Sequence, residues 1–221
     1  MAITQDSSAT SSIDGNSQLT FALTVAAGAT KLIVQAIYLI VPGEDIRKVQ
    51  YAGVNLTNAV IAKNASSTAS IEIWYLDNPA SGTNDVVVET IGTGNLRATA
   101  TSLFGTLPGA PEDTDFLSDE GPGTEVTLTL TGTAGAWLFD AISSSVSTVT
   151  PNDTQTLNLD YDVETNRGSF DGDDVETGTS TGMRWDYALD VVGVCAVRIA
   201  PAPTGRLNMI GDGLQWSLHT V

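Results

Sequence analysis

Reactive and cationic side chains are what this chain has least of. A single cysteine, Cys195, rules out an intrachain disulfide, and a single histidine, His219, leaves no Cys/His set for zinc. Cys195 lies in the apolar run Val191-Val192-Gly193-Val194-Cys195-Ala196-Val197, where it reads as a small buried hydrophobe; a catalytic thiol would need an accessible, electropositive setting and a histidine. Only three lysines occur, Lys31, Lys48 and Lys63, and nine basic residues stand against 26 acidic ones for a net charge of −17. Binding a phosphate backbone draws on clustered Lys and Arg, so nucleic acid is not expected as a partner. No apolar run reaches the ~18–20 residues that span a bilayer, and Leu32 to Val41 has about half that length, so no membrane partner is expected. Met1-Ala2-Ile3-Thr4-Gln5-Asp6 lacks the basic start and apolar core of a signal peptide, which predicts a product made in the cytoplasm and not exported by the usual route. No nucleophile–histidine pair, phosphate-cradling glycine loop or dinucleotide fingerprint is present, and Gly92-Thr93-Gly94 reads as a hairpin turn. The chain is expected not to be an enzyme.

What is abundant is β-type sequence. Leu19-Thr20-Phe21-Ala22-Leu23-Thr24-Val25 alternates strictly, as a half-buried strand does, and the next run, residues 31–41, is apolar on both faces and predicts a central strand. Further strands are predicted at Ile46–Tyr51, Leu56–Ala62, Ser70–Leu76, Asp85–Ile91, Leu96–Phe104, Thr124–Thr131, Ala136–Ser144, Gln155–Asp162, Met183–Asp190 and Val191–Ile199, bounded by turn chemistry such as Asn78-Pro79-Ala80-Ser81-Gly82. No 3.6-residue period and no repeat of 20–50 residues is evident, so the expectation is an all-β, jelly-roll-like antiparallel sandwich with N- and C-terminal extensions. Residues 1–18 are expected as a polar N-terminal arm, residues 19–200 as one sandwich domain, and residues 201–221 as a tail contacting the sandwich or a neighbouring subunit. Leu107 to Asp115 reads as a long acidic loop, and Ala200-Pro201-Ala202-Pro203-Thr204-Gly205 as a stiff linker.

Acidic clusters are the candidate site. Phe170-Asp171-Gly172-Asp173-Asp174-Val175-Glu176 gathers carboxylates around an expected glycine turn, and Asp160-Tyr161-Asp162-Val163-Glu164 sets three at period two. Hard cations take several carboxylate oxygens, so Asp171, Asp173 and Asp174 are the candidate Ca²⁺ ligands; no other cofactor is implied, and the bland reading of the same residues is a solvated acidic surface. Trp74 and Trp185 are candidate stacking platforms for sugars, and equally candidate core. Asp outnumbers Glu by 18 to 8, a bias that resembles proteins of salt-loving organisms, where salt screens the self-repulsion of such a surface.

Val49-Gln50-Tyr51-Ala52-Gly53-Val54-Asn55-Leu56-Thr57, followed by Ile71-Glu72-Ile73-Trp74-Tyr75-Leu76 and Pro79-Ala80-Ser81-Gly82-Thr83-Asn84-Asp85-Val86-Val87-Val88, resembles a jelly-roll-type β-sandwich module of phage and archaeal virus particles and of bacterial and archaeal cell-surface proteins. Leu103-Phe104-Gly105 and the closing pair from Met183 to Ile199 extend the likeness, while Ala52 stands where the pattern has glycine. The resemblance implies a virion structural protein, as a capsid-surface, decoration, turret or tail component of a virus of a halophilic host. It would be assembled in the host cytoplasm and act as a homo-oligomer through contacts with copies of itself and other virion proteins. The alternative it implies is a carbohydrate-binding or adhesive cell-surface module, with host cell-surface glycans as partners.

Overall fold

The computed structural model describes residues 2–39, 45–64, 69–144, 150–152, 157–163, 166–173 and 180–203. They form thirteen strands and no helix: β1 Thr4–Val25, β2 Lys31–Leu39, β3 Ile46–Tyr51, β4 Val54–Asn55, β5 Thr57–Asn64, β6 Ala69–Asp77, β7 Gly82–Phe104, β8 Asp113–Thr131, β9 Trp137–Ser144, β10 Thr150–Asn152, β11 Leu157–Val163, β12 Asn166–Asp173 and β13 Ser180–Ile199. All pairing is antiparallel, and the fold is an all-β sandwich.

Two long ribbons set the architecture. β1 runs antiparallel to β7 from Thr4 opposite Phe104 to Val25 opposite Gly82. Extended, 22 residues would reach about 70 Å. Instead the ribbon doubles back, bringing the Asp6 carboxylate within 2.8 Å of the Ala26 amide. The corner lies where the register slips between Ile13 and Gln18, with Gly15 at φ +68° and Gly94 across from Asn16. Gly94 belongs there because an added Cβ would sit 2.6 Å from the Leu39 carbonyl and 2.5 Å from the Tyr38 ring. Gly92-Thr93-Gly94 is therefore a bend inside β7 and not a hairpin turn, and the strands predicted at 85–91 and 96–104 are one.

The first half of β1 lies beside the second half of β7, then β2, then β6; its second half lies beside the first half of β7, then β3, then β4. This is the strand order of a jelly roll. The pattern recurs with β8 and β13 as the ribbon, β9 and β12 following on one side and β10 on the other; β5 and β11 add an outer strand to β6 and β12. The region 19–200, read from the sequence as one sandwich, thus holds two units of like topology. Residues 4–18, read as most of an arm, pair along β7 as the first part of β1, and the acidic loop ends at Glu112, since Asp113 already opens β8.

Alternation assigns each strand's residues to three apolar seams. Within the first unit, Leu19, Leu23, Val86, Val88 and Val49 face Leu32, Val34, Leu96 and Ala98. Between the units, Ile33, Ile37, Ile71 and Ile73 meet Phe139, Ala141, Cys195 and Val197. Within the second unit, Leu138, Ile142, Val192 and Val194 meet Val126, Leu128, Met183 and Trp185. β2 has neighbours on both faces and is buried at all nine positions, which is why its sequence is apolar on both. Each fully buried Ile, Leu or Phe contributes about 1.5–3 kcal/mol, so the middle seam holds the two units together by burial of the same kind as their own cores.

Candidate functional site

Polar bonds pin the middle seam in one register. Gln35 Nε2 donates to the Asp140 carbonyl at 2.5 Å, and Asn64 Nδ2 donates to the Ser143 carbonyl at 3.1 Å. The Lys63 amide donates to Ser118 Oγ at 2.9 Å. At Gly193 the backbones come so close that a Cβ would lie 2.7 Å from the Lys63 carbonyl oxygen.

The buried ionisable groups are engaged with the fold itself. Lys31 donates to Asp77 at 2.5 Å and to the Gly109 carbonyl at 2.7 Å, and lies over the Tyr75 ring. Arg97 bonds Asp14 and the carbonyls of Ile13 and Leu96, tying down the β1 corner. Arg198 donates to the carbonyls of Leu130 and Thr133. Glu72 accepts from Ser70 Oγ, the Ile46 amide and Asn58 Nδ2; burial pushes its carboxyl above the ordinary value, against the pull of those donors. Asp140 accepts the Trp185 indole N–H at 2.5 Å. Cys195 is buried, and its thiol is pushed well above its ordinary value, first by burial and then by the charges of Asp140 and Glu72. Buried charges are tolerated when paired or hydrogen-bonded: Lys31 and Arg97 meet carboxylates, and Glu72 and Asp140 accept from neutral donors.

Asp171 and Asp173 fall within β12, in register with Asp140 and Leu138 of β9. The stretch Phe170–Asp173 is extended ladder and not the glycine turn expected around Gly172. Asp174 lies outside the described residues, as do Glu164 and Glu176. Among the residues whose side chains are described, no three acidic, Cys or His groups converge as a metal site. Trp185 is fully buried in the third seam, which removes it as a sugar platform, and Trp74 is half-buried against the first seam. The tail beyond residue 203, with His219, lies outside the described residues. No helix among the described residues is long and apolar enough to cross a membrane.

The feature that the sequence did not announce is the treatment of the ribbon edges. Among the described residues β8 pairs only with β13, on one side, which leaves the amides of its other side outside the ladder. Where the strand doubles back, its own first half and the preceding residue cap them: Asp113 Oδ2 accepts the Thr131 amide at 2.7 Å, Asp115 Oδ2 the Thr129 amide at 3.0 Å, and Glu112 Oε2 the Thr133 amide at 2.7 Å. β1 occupies the same place in the first unit. At one end Asp6 takes the Ala26 amide and Ser7 Oγ donates to the Thr24 carbonyl at 2.5 Å, and towards the corner Arg97 donates to the Ile13 carbonyl, Asn95 Oδ1 accepts the Gly15 amide and Thr90 Oγ1 donates to the Ser17 carbonyl. Beyond that end Ala9, Ile13 and Phe21 line the seam only partly covered. Other exposed apolar side chains are scattered: Val54 on β4, Ile61 on β5, Ile91 at the β7 corner, Leu107 in the loop before β8 and Phe116 on β8.

No protein-family model matches the chain, and no curated protein sequence matches it.

Proposed function

We propose that the chain is a structural component of a virus particle, a rigid double jelly-roll block that works through contacts with copies of itself and with other particle proteins. The observation that carries this reading is the use made of reactive groups: Lys31, Glu72, Arg97, Asp140 and Arg198 are all buried and spent on backbone or side-chain partners within the fold. A catalytic site needs such groups in a cleft, where substrate can reach them. Here they lock strands, corners and the seam between the units. What the fold presents outward on β1 is Ser, Thr, Asn and Gln on a scaffold fixed by three apolar seams. The acidic surface suits a halophilic host, because salt screens its self-repulsion and leaves directional contacts to govern assembly.

The test is sedimentation of the full chain in molar salt over a range of concentrations, with glycan binding measured on the same material. A discrete homo-oligomer or larger closed assembly is the expected result. A monomer at every concentration overturns the reading, and saturable glycan binding by that monomer puts the adhesive-module reading in its place.

A further inference from the structure

We propose that the outer face of β3 and β7 around Arg47, Lys48 and Ile91 is the surface on which a second copy of the chain docks, presenting its carboxylates in a head-to-tail contact. The inference rests on the assembly reading above and names the surface and the chemistry that such assembly uses.

A fault in the ladder builds this surface. Ile46 pairs with Thr90 and Lys48 with Glu89, so Arg47 is an extra residue on β3 with no counterpart on β7. Neighbours in a regular strand point to opposite faces, and a bulge of this kind breaks the alternation. Both cations therefore reach one carboxylate: Arg47 Nη2 donates to Glu89 Oε2 at 2.6 Å, and Lys48 Nζ lies 2.8 Å from Glu89 Oε1. Lys48 first and then Arg47 hold the Glu89 carboxyl below its ordinary value, so it stays ionised and leaves the group of three a surplus of one positive charge. Every other ion-paired cation among the described residues has at least one carboxylate to itself.

Two further properties suit docking. Arg47 is 64 % exposed and engages Glu89 through Nη2, which keeps its Nε and Nη1 donors for another carboxylate. Ile91, two residues along β7 from Glu89 and so on the same face, is 65 % exposed, more than any other large apolar side chain among the described residues. An apolar side chain beside an arginine is the composition of an interface centre. In a chain of net charge −17, a locally positive surface is where another copy meets attraction in place of repulsion. The surface does not suit its own image, because that would set Arg47 and Lys48 against the same cations. The contact is therefore heterologous and leads to a ring or a layer, not to a two-fold dimer.

Sedimentation of the parent, Arg47→Glu/Lys48→Glu, Ile91→Ser and Glu89→Gln in molar salt tests this. With a Debye length of about 3 Å at that ionic strength, only charges in contact still attract. The double reversal is expected to raise the dissociation constant of self-association about tenfold or more, and Ile91→Ser to raise it as well. Glu89→Gln removes the one carboxylate and is expected to tighten association. Cations that serve only the fold would give a less stable protein and no gain in affinity on that change, a result that overturns the proposal even if the double reversal fails to fold. Unchanged association of a folded double reversal also overturns it and leaves the particle reading standing, whereas a monomeric parent overturns both. In a mixture of isotope-labelled and unlabelled parent, a zero-length carbodiimide is expected to join Lys48 to a carboxylate of the other copy; Lys48 bonds confined to single copies overturn the proposal.

Discussion

Gly193 offers the sharpest test of how the two jelly rolls meet. It lies in β13 opposite Ser143 of β9, in extended backbone that alanine adopts as readily as glycine. In isolation, Gly193→Ala would stabilise the protein by about 0.4–1 kcal/mol, because alanine leaves the unfolded chain fewer conformations. The packing has the opposite sign. The new methyl would stand 2.7 Å from the Lys63 carbonyl oxygen, 2.8 Å from Ile71 Cδ1 and 2.9 Å from the Lys63 carbonyl carbon, against ordinary contacts of 3.4–4 Å. The Ile71 methyl can rotate away. The Lys63 carbonyl cannot, since its residue is paired to Ser70 of β6 and its amide is held by Ser118 Oγ. Forcing a backbone shift in a packed interior costs about 1–3 kcal/mol, so the net expectation is a loss of about 1–2 kcal/mol. For a chain of this size that lowers the melting temperature by about 2–8 °C. Adding Ile71→Val should recover only part of the loss, because the carbonyl contact remains. A Gly193→Ala protein that melts higher than the parent would refute the close approach of β5 to β13, and with it the rigid union of the two units.

Three further outcomes are expected. Trp185→Phe removes the N–H that serves the buried Asp140 carboxylate and should cost about 1–3 kcal/mol in chemical denaturation; an unchanged midpoint would mean the bond contributes nothing. Burial raises the Glu72 carboxyl above 4.5, so the folded state holds that proton more tightly than the unfolded chain; its contribution is complete below about pH 4.5 and is lost as pH rises through the folded value. The stability of the parent relative to Glu72→Gln should therefore fall from pH 4.5 towards neutrality, and a flat difference would refute the assignment. Cys195, buried with its thiol pushed up, should react with a thiol reagent only as fast as the structure opens, so that labelling accelerates with denaturant; rapid labelling of the native protein would place it at the surface.

The parts of the fold legible in the sequence are those where burial writes an unambiguous period. The alternation of residues 19–25 and the two-sided apolar run of β2 each correspond to the strand expected, and the run around Cys195 is core on both of its faces. What escaped was long-range. A glycine pair between two alternating runs gives the same local signal for a hairpin and for a corner within one strand; only the neighbouring Tyr38 and Leu39, which leave Gly94 no room for a side chain, decide it. Residues 4–18 looked like an arm because β1 faces its seam there with little more than Ala9 and Ile13, and the rest of its alternation is Ser and Thr. The doubling of the jelly roll left no sequence period, because topology repeats while strand lengths and loops do not. Around Gly172, turn chemistry was overridden by the ladder between β12 and β9.

The edge of β8 also changes how the acidic composition is read. Composition alone assigns the carboxylates to a solvated surface, where each adds to self-repulsion and is interchangeable with its neighbours. Asp113 and Asp115 are not interchangeable: they meet Thr131 and Thr129 in an order set by the doubling of one strand, and each takes an amide that would otherwise invite another strand, while Glu112 takes the Thr133 amide just past the strand's end. A carboxylate does this better than a hydroxyl, since a charged acceptor makes a stronger bond and also repels a second acidic chain from the same edge. On β1 the same device appears where Asp6 takes the Ala26 amide, and the strand's other outward residues are mostly Ser and Thr.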